Sequence, residues 1–226
     1  MLATLLTPLG MCTPATTPAP PLGSTPLILG SASASRASLL RAAQYEFEVT
    51  SPDIDERAIR RDDARELVLA LGFAKAAAVL DGAKGDEYAR RQALLITCDQ
   101  VVTNGGRILE KPRSSDEARA FIASYAREPA TTVGSCVVTD CASRRQWSAV
   151  DEARVFFRSI PDATVAELIA DGGVFACAGG LMVEHPLVQP HVERIEGTMD
   201  SIMGLCTATV HRLLGEALAA REEDSR

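Results

Sequence analysis

Residues 27–36 read Leu-Ile-Leu-Gly-Ser-Ala-Ser-Ala-Ser-Arg: an apolar run, a turn of small residues and the start of a helix. The run Leu27–Leu29 predicts a short buried strand, which the glycine and the serine cluster end. A helix is expected from about Ser35 to Ala43, with Ser33 or Ser35 as its N-cap. A buried strand that turns directly into a helix is the building unit of α/β proteins, so this stretch favours that fold class.

Outward from this stretch, strand and helix signals alternate along the chain, as expected for an α/β protein. Apolar runs and alternating patterns predict further strands over residues 45–50, 93–98, 131–139 and 147–157 and around 181–183. Capping, Gly and Pro signals predict further helices from Asp62 or Asp63 to about Leu80, from 114–117 to about Tyr125, from Pro161 to 172–173, and from about Ser201 to Ala219. No internal repeat is evident.

The chain has 226 residues, the length of one domain of ordinary size. Residues 1–25 are rich in Pro and Thr and contain no charged side chain, so we expect a flexible leader without a fold of its own. The leader lacks the basic residues of a signal peptide or a mitochondrial presequence, and a weak targeting role is left open. Residues 26–219 are then predicted to form a single folded domain, followed by a charged, solvated tail at residues 220–226.

The composition excludes several classes of protein. With 46% hydrophobic residues, 23% charged residues and a net charge of -7, the chain can bury a core but is a poor general binder of nucleic acid polymers or membrane surfaces. Its apolar runs are shorter than the roughly 18 residues that a membrane span needs. The cysteines form no Cys-x-x-Cys pair and lie in or beside apolar runs, which predicts reduced thiols and a cytoplasmic location rather than disulfides or a zinc site.

The turn at residues 30–36 has the features of a phosphate-binding site. Backbone N–H groups at a helix N-terminus favour anions, the hydroxyls of Ser31 and Ser33 add donors, and Arg36 can pair with two phosphate oxygens. The alternative is that the small residues only permit a tight turn, with a serine as the N-cap. Spacing alone leaves both interpretations open.

Lys75 falls on the apolar stripe of the helix predicted from Asp62 or Asp63, in line with Leu67 and Leu71. A lysine on an inward stripe either extends its ammonium group to the surface or points into a cleft that holds an anion. The chain contains 3 lysines and 20 arginines, and arginine would serve equally well for the first purpose. The choice of lysine favours the interpretation in which Lys75 points into an anion-binding cleft. The alternative, a side chain that extends to the surface, remains open.

Asp99 and Lys111 lie at the base of a predicted hairpin, whose turn is the Asn-Gly-Gly sequence at residues 104–106. With Asn-Gly as the loop, Asp99 falls opposite Glu110; with Gly-Gly as the loop, it falls opposite Pro112. Either register brings Asp99 within about one position of Lys111. The pair is either part of a ligand site at the end of a buried strand or an ion pair at a sheet edge.

Glu56 follows the extended segment 52–55 and supplies a further carboxylate. Together with Asp99 it can hold Mg²⁺ or Mn²⁺, because these ions prefer oxygen ligands and bind substrate phosphates as well. A serine and arginine site, two lysines and two carboxylates together indicate chemistry on a phosphate compound.

Seven segments, in order and at compatible spacings, resemble the motifs of the Maf family of nucleoside triphosphate pyrophosphatases. They are Leu27–Arg36 (family S-x-S-P-R-R), Pro52–Glu56 (P-x-I-D-E), Ala74–Ala76 (A-x-x-K-A), Cys98–Val102 (A-D-T-V-V), Glu110–Pro112 (G-K-P), Val192–Gly197 (E-R-I-x-G) and Ser201–Leu205 (N-V-V-G-L). Any one match is weak, but seven in order are specific, and the resemblance covers nearly all of residues 26–219.

The resemblance implies an enzyme that hydrolyses a nucleoside triphosphate, a non-standard or modified one, to the monophosphate and pyrophosphate with a divalent metal, Mg²⁺ or Mn²⁺. It implies removal of unwanted nucleotides from the cellular pool, with a link to septum formation and division arrest. The implied fold is an elongated mixed sheet flanked by helices, with two lobes and a cleft between them as in inosine triphosphate pyrophosphatase, and the implied assembly is a homodimer. The family's active-site positions match Ser31, Arg36, Glu56, Lys75, Asp99 and Lys111.

The chain departs from the family pattern at three positions. Ser35 stands for the first Arg of the family's Arg-Arg pair, and Ala34 stands for its Pro. Ala178 stands for a Gln that belongs to the subgroup acting on thymidine and uridine triphosphates, which puts that base preference in doubt. Residues 178–186 look more like the plant version of the family, and there Glu184 is a candidate to line the substrate site.

We expect the basic side chains and the metal to neutralise the triphosphate, Glu56 to share the metal with Asp99, and Asp99 to position or deprotonate the attacking water. A non-catalytic nucleotide-binding regulator of division on the same fold is an alternative, and it predicts tight binding without turnover. An unrelated phosphatase is a third interpretation. It predicts release of orthophosphate, but no Cys-x5-Arg or Asp-x-Asp nucleophile motif is present.

Overall fold

The fold was analysed in a computed structural model, which describes residues 19–225. Within that range the chain forms seven strands and seven α-helices. The strands are β1 (Leu27–Gly30), β2 (Glu48–Thr50), β3 (Leu94–Asn104), β4 (Arg107–Leu109), β5 (Ala130–Asp140), β6 (Gln146–Phe157) and β7 (Val192–Glu196). The helices are α1 (Ala34–Ala42), α2 (Ala64–Asp81), α3 (Gly85–Arg90), α4 (Ser115–Ser124), α5 (Asp162–Asp171), α6 (Met199–Ile202) and α7 (Thr207–Asp224).

The strands form one open mixed sheet in the order β2-β1-β3-β5-β6-β7, and β4 pairs with β3 beside this path. Strand β1 runs parallel to both β2 and β3, whereas the pairs β3–β4, β3–β5, β5–β6 and β6–β7 are antiparallel. This mixed sheet with flanking helices confirms the predicted α/β class.

The core lies on both faces of the sheet, because successive side chains of a strand point to opposite faces. On β1, Leu29 packs with Leu40 of α1 and Leu213 of α7, while Ile28 packs with Val79 of α2 on the other face. A second part of the core surrounds α4, α5 and α6 where they cover the ends of β3 and β6. Helices on both faces explain why β3 begins as a continuous apolar run.

Local capping signals produce the predicted helix starts. Asp63 caps α2 by accepting a hydrogen bond from the backbone of Glu66 at 2.9 Å. Ser114 caps α4 by accepting from the backbone N–H of Glu117 at 3.2 Å, and the Glu117 carboxylate in turn accepts from the N–H of Arg113 at 2.6 Å. Helix α5 ends at Gly172, whose φ of 85° is the left-handed conformation typical of a C-terminal glycine.

Several expectations about individual elements were wrong, most of them in the C-terminal third. No strand forms at 181–183, because the chain turns sharply at Gly179 and Gly180, whose φ angles are 72° and 70°. The strand in this region is β7, a charged edge strand whose composition concealed it. The single helix expected from Ser201 is two helices, because the chain turns at Gly204 with a φ of 111°. The predicted strand at 45–50 shortens to β2.

The charged tail predicted at residues 220–226 is largely helical, because α7 continues to Asp224. The Nε atom of Arg221 lies 2.7 Å from Oδ2 of Asp140, and this ion pair fixes the last turns of α7 to the end of β5. Most of the predicted leader, residues 1–18, lies outside the described residues. Across residues 19–225, no helix combines the length and the apolar character that crossing a lipid bilayer requires.

Candidate active site

A cavity of about 820 Å³ opens where β1 ends and β3 continues beyond it. Carboxyl ends of parallel strands are the usual place for ligands in α/β proteins. Apolar side chains of the second part of the core line this cavity, together with Leu67 and Leu71 of α2. All predicted site residues are among its lining residues, namely Ser31, Ser33, Arg36, Glu56, Lys75, Asp99, Lys111 and Glu184.

Lys75 is directed into the cavity and does not extend to the surface. It lies on the buried face of α2 and is 6% exposed. Its Nζ atom lies 2.6 Å from Oδ1 of Asp99 and 2.8 Å from Oε1 of Glu56. A buried ammonium group is therefore the point at which two carboxylates from distant segments converge, as a buried charge requires.

Asp99 is buried and is contacted by Lys75 through its carboxylate and by Ser135 through its backbone. Burial raises the pKa of its carboxyl group, and the neighbouring charges of Lys75 and Arg36 partly oppose this rise. Its backbone N–H donates to Oγ of Ser135 at 3.1 Å, and that hydroxyl donates to the carbonyl of Val68 at 2.6 Å. Ser135 thus ties β3, β5 and α2 together directly behind Asp99. Sequence reasoning missed Ser135, because a lone serine in an apolar strand carries no motif.

The turn between β1 and α1 forms a pocket of donors. Ser33 is the N-cap of α1 and accepts from the backbone N–H of Arg36 at 3.4 Å. The hydroxyl of Ser31 accepts from the Ser33 N–H at 3.2 Å and from Nη1 of Arg36 at 3.3 Å. Because a hydroxyl also carries one proton to donate, Ser31 can offer that proton to an anion.

The guanidinium of Arg36 is fixed by acceptors from three parts of the chain. Its Nε donates to the carbonyl of Gly204 at 3.0 Å, and its Nη1 donates to the carbonyl of Cys98 at 3.1 Å as well as to Ser31. Among the hydrogen bonds of residues 19–225, none uses Nη2, which carries two further N–H groups. Arg36 can therefore present two donors to a ligand without breaking a contact.

Lys111 occupies the cavity but does not pair with Asp99. The observed hairpin pairs Asn104 with Arg107, which is the Gly-Gly register, and the ladder stops at Val102 and Leu109. The alternative of an ion pair between Asp99 and Lys111 at the sheet edge is therefore wrong, and Lys75 lies beside Asp99 instead. Lys111 makes no ion pair within the described part of the chain.

Cys177 and Glu184 lie near Lys111 on the loops that close the cavity on this side. Burial raises the pKa of the Cys177 thiol to about 11, with a further rise from Glu184 and a partial opposing effect of Lys111. A protonated thiol, a carboxylate and an ammonium group therefore lie within electrostatic reach of one another. These side chains line the same cavity as Arg36 and the turn after β1.

Positive charge is concentrated at the cavity although the chain carries a net charge of -7. Six of the lining side chains are Arg or Lys and four are Asp or Glu. A cavity with excess positive charge attracts polyanions such as a triphosphate. Another part of the wall is apolar and can pack against the faces of a nucleobase ring; it includes Val102, Tyr125, Val155, Phe157, Leu181 and Ile202.

The residues present suit a divalent cation in chemical type. The oxygens of Glu56 and Asp99 contact the same Nζ atom, so two carboxylate donors face one point of the cavity. Mg²⁺ and Mn²⁺ are held in many proteins by one or two carboxylates together with substrate phosphates. Among residues 19–225 no cluster of three or more His, Cys, Asp or Glu is arranged to hold a metal alone. A cation here would therefore depend on the substrate for further ligands.

Comparisons with known proteins agree with this geometry. A family sequence model described as Maf-like protein matches residues 26–217. The chain is 37% identical over 194 residues to a 7-methyl-GTP pyrophosphatase of Dictyostelium discoideum, covering 85% of this chain and 98% of that protein. It is 36% identical over 197 residues to a nucleoside triphosphate pyrophosphatase of Salinispora tropica, covering 86% and 85% of the two chains. A protein of the same name from Streptomyces avermitilis is 35% identical over 191 residues, covering 84% of this chain and 89% of its own length.

Proposed function

Because this chain belongs to the Maf-like family, we propose that it hydrolyses a nucleoside triphosphate to the monophosphate and pyrophosphate in the cavity beside β3. The observation that supports this site is the convergence of Glu56 and Asp99 on the buried ammonium of Lys75. Carboxylates beside a cation, next to a donor-rich turn, are the groups that hydrolysis of a phosphoanhydride needs.

The turn after β1 binds part of the triphosphate. The free N–H groups at the start of α1 and the hydroxyl proton of Ser31 donate to phosphate oxygens, and Nη2 of Arg36 adds two donors. Lys111 also lines the cavity and adds a further positive charge for the phosphates. Since a triphosphate carries roughly four negative charges, several cations must share the task of neutralising it.

Glu56 and Asp99 are the residues that would hold a Mg²⁺ or Mn²⁺ ion. When bound, such an ion supplies Lewis-acid stabilisation of charge on the reacting phosphate. The single positive charge of Lys75 is shared between the two carboxylates in the ligand-free protein, and a bound cation would leave the ammonium available to a phosphate oxygen. The two carboxylates are therefore held at one point of the cavity before the substrate arrives.

Asp99 acts on the water. Its carboxylate accepts a proton from a water molecule as the water oxygen forms a bond to the α-phosphorus. The bond between that phosphorus and the oxygen bridging to the β-phosphorus then breaks, and pyrophosphate leaves with the electron pair. Burial raises the pKa of Asp99, which makes its carboxylate a stronger base, while Lys75 and Arg36 favour its ionised form.

The test is Asp99→Asn, which preserves the shape of the side chain and removes the base. We expect kcat for pyrophosphate release to fall by about 10²–10⁴-fold, the contribution typical of a positioned general base. Asp151→Asn is a matched control, because Asp151 lies on the neighbouring part of the sheet and outside the cavity. Wild-type rates for Asp99→Asn would remove Asp99 from the mechanism.

A non-catalytic regulator on this fold is not favoured, because relatives that match about 85% of this chain are named pyrophosphatases. Its distinguishing result would be tight binding of a triphosphate without any product in the presence of Mg²⁺ and Mn²⁺. A phosphomonoesterase would release orthophosphate. Separate assays for the two products distinguish all three interpretations.

The base that the enzyme selects is a 7-methylated guanine in our proposal. The Dictyostelium relative is named for 7-methyl-GTP, and methylation at N7 gives the purine ring a positive charge. Glu184 lines the cavity near Cys177 and supplies a carboxylate that such a cation attracts. In a panel of GTP, 7-methyl-GTP, UTP and thymidine triphosphate, we expect the methylated nucleotide to be hydrolysed fastest. Glu184→Gln should reduce its advantage over GTP.

We propose further that the protein is a cytoplasmic homodimer that removes modified nucleotides and that its activity bears on septum formation. Family membership supports these proposals. Light scattering during size-exclusion chromatography tests the dimer, and a fluorescent fusion tests the location. Accumulation of the preferred nucleotide in cells that lack the protein tests the role.

A further inference from the structure

Arg36 is positioned by the same strand that carries Asp99. The Cys98 carbonyl, one residue before Asp99, accepts from Nη1 of Arg36 at 3.1 Å. Gln100 follows Asp99 directly. Its side-chain amide donates to carbonyls of α6, just before the turn whose Gly204 carbonyl accepts from Nε of Arg36. The two neighbours of Asp99 in the chain are thus both connected to one guanidinium group.

The Gln100 amide holds the end of α6. Its Nε2 donates to the carbonyl of Ser201 at 2.9 Å and to the carbonyl of Ile202 at 3.1 Å. The Ser201 carbonyl also accepts from the backbone N–H of Gly204 at 3.2 Å. Fixing Ser201 therefore fixes the backbone at Gly204, whose carbonyl is the acceptor for Nε of Arg36 at 3.0 Å.

Further hydrogen bonds hold the turn that carries Gly204 from within its own segment. The Asp200 carboxylate accepts from the N–H and the hydroxyl of Thr207 at 2.7 and 2.6 Å. Burial alone would raise the pKa of Asp200, but hydrogen bonds from Thr198, Thr207 and Ser201 outweigh that effect and lower it. These contacts shape the turn, whereas the Gln100 amide joins the end of α6 to β3 by direct hydrogen bonds.

We propose that Gln100 is a positioning residue for substrate binding, acting through Gly204 on Arg36. By anchoring the α6–α7 turn to β3, Gln100 sets the orientation in which Arg36 offers Nη2 to a phosphate at a fixed distance from Asp99. The role rests on the proposed function, since it concerns the triphosphate in that cavity. Gln100 also lines the cavity, but its Nε2 is engaged by the two carbonyls of α6.

Gln100→Leu removes both donors while keeping a side chain of similar size. The Ile202 carbonyl then loses its hydrogen bond from Gln100, and the Gly204 carbonyl that accepts from Nε of Arg36 is no longer held in place. Since a misplacement of about 1 Å can lower a rate by roughly 100-fold, we expect kcat/KM to fall by about 10–100-fold. The loss should fall mainly on KM if Arg36 acts in binding.

A double-mutant cycle with Arg36→Ala distinguishes positioning from a purely structural role. We expect Gln100→Leu to reduce kcat/KM by less than about 2-fold when Arg36 is already absent, because there is no guanidinium left to misplace. Asn104→Leu is the matched control: Asn104 lies on β3 and also donates its amide to two consecutive carbonyls, those of Glu128 and Pro129, outside the cavity. That variant should retain full activity.

Equal losses from Gln100→Leu with and without Arg36 would overturn the proposal, as would an equal loss from Asn104→Leu. If Gln100→Leu does not fold, Gln100→Asn takes its place, because it keeps the amide but is too short to reach both carbonyls. The same cycle is measured by calorimetric binding of an α,β-methylene nucleoside triphosphate, which cannot be cleaved. Coupling in binding with no pyrophosphate from any wild-type reaction would contradict the proposed function alone, whereas turnover without coupling would contradict the role of Gln100 alone.

Discussion

Replacing Lys75 by Met is expected to destabilise the protein severely. The substitution keeps the length and the apolar stem of the side chain and removes only the ammonium. Its partners differ: Asp99 is 12% exposed in its side chain, whereas Glu56 is 56% exposed and can return to water. The cost therefore comes mainly from Asp99, which is left as a buried carboxylate without its closest cation.

Removing one partner of a buried ion pair costs about 3–5 kcal/mol, and we expect a loss in this range. For a domain of this size, roughly 1 kcal/mol lowers Tm by about 2–4 °C, so Tm should fall by about 6–20 °C. Lys84→Met provides the matched control, because Lys84 is exposed at the start of α3. An exposed substitution of this kind should change stability by less than about 0.5 kcal/mol.

The decisive measurement adds Asp99→Asn. Thermal and urea unfolding followed by circular dichroism give the free energy of unfolding for both single variants and the double variant. Because the double variant no longer buries an unpaired carboxylate, it should be more stable than Lys75→Met alone, with a coupling energy of about 1–3 kcal/mol. Additive costs, or a Lys75→Met variant as stable as Lys84→Met, would refute the assignment of Lys75 as the buried counter-ion of Asp99.

Three further predictions concern other parts of the molecule. Arg221→Met should cost about 1.5–3 kcal/mol at pH 7. Burial alone would raise the pKa of Asp140, but hydrogen bonds led by the one from Arg221 lower it, so the stabilisation is complete above the unfolded pKa near 4. Unfolding curves at several pH values should show this stabilisation being lost as the pH falls through the lower folded pKa. Ser114→Ala removes the N-cap of α4 and should cost about 1 kcal/mol in urea unfolding, with Ser38→Ala on the exposed face of α1 as a control that changes nothing. Chelation of divalent cations should abolish pyrophosphate release and leave Tm unchanged, because only two carboxylates would hold the ion; a chelator-resistant rate would exclude the metal requirement.

Much of the fold follows from short-range signals. The N-caps at Asp63 and Ser114 and the glycine after α5 depend on hydrogen bonds that span a few residues, so a short stretch of sequence is enough to predict them. The errors arose where local preference competes with distant packing. Strand β7 is charged and lies at a sheet edge, so no apolar pattern marks it, and its pairing with β6 alone makes it a strand.

The sequence by itself determined the α/β class, the turn of small residues after β1 and which residues line the candidate site, because these depend on residue type and order along the chain. Only the tertiary structure decided which charges meet. Lys75, not Lys111, pairs with Asp99, because α2 packs across β3 and the hairpin ladder stops before Lys111. Arg36 donates to the carbonyl of Gly204, which is 168 residues away in the chain. The side chain of Gln100 in turn holds the segment before Gly204. Such contacts depend on how helices and strands dock over long separations, and no local spacing contains that information.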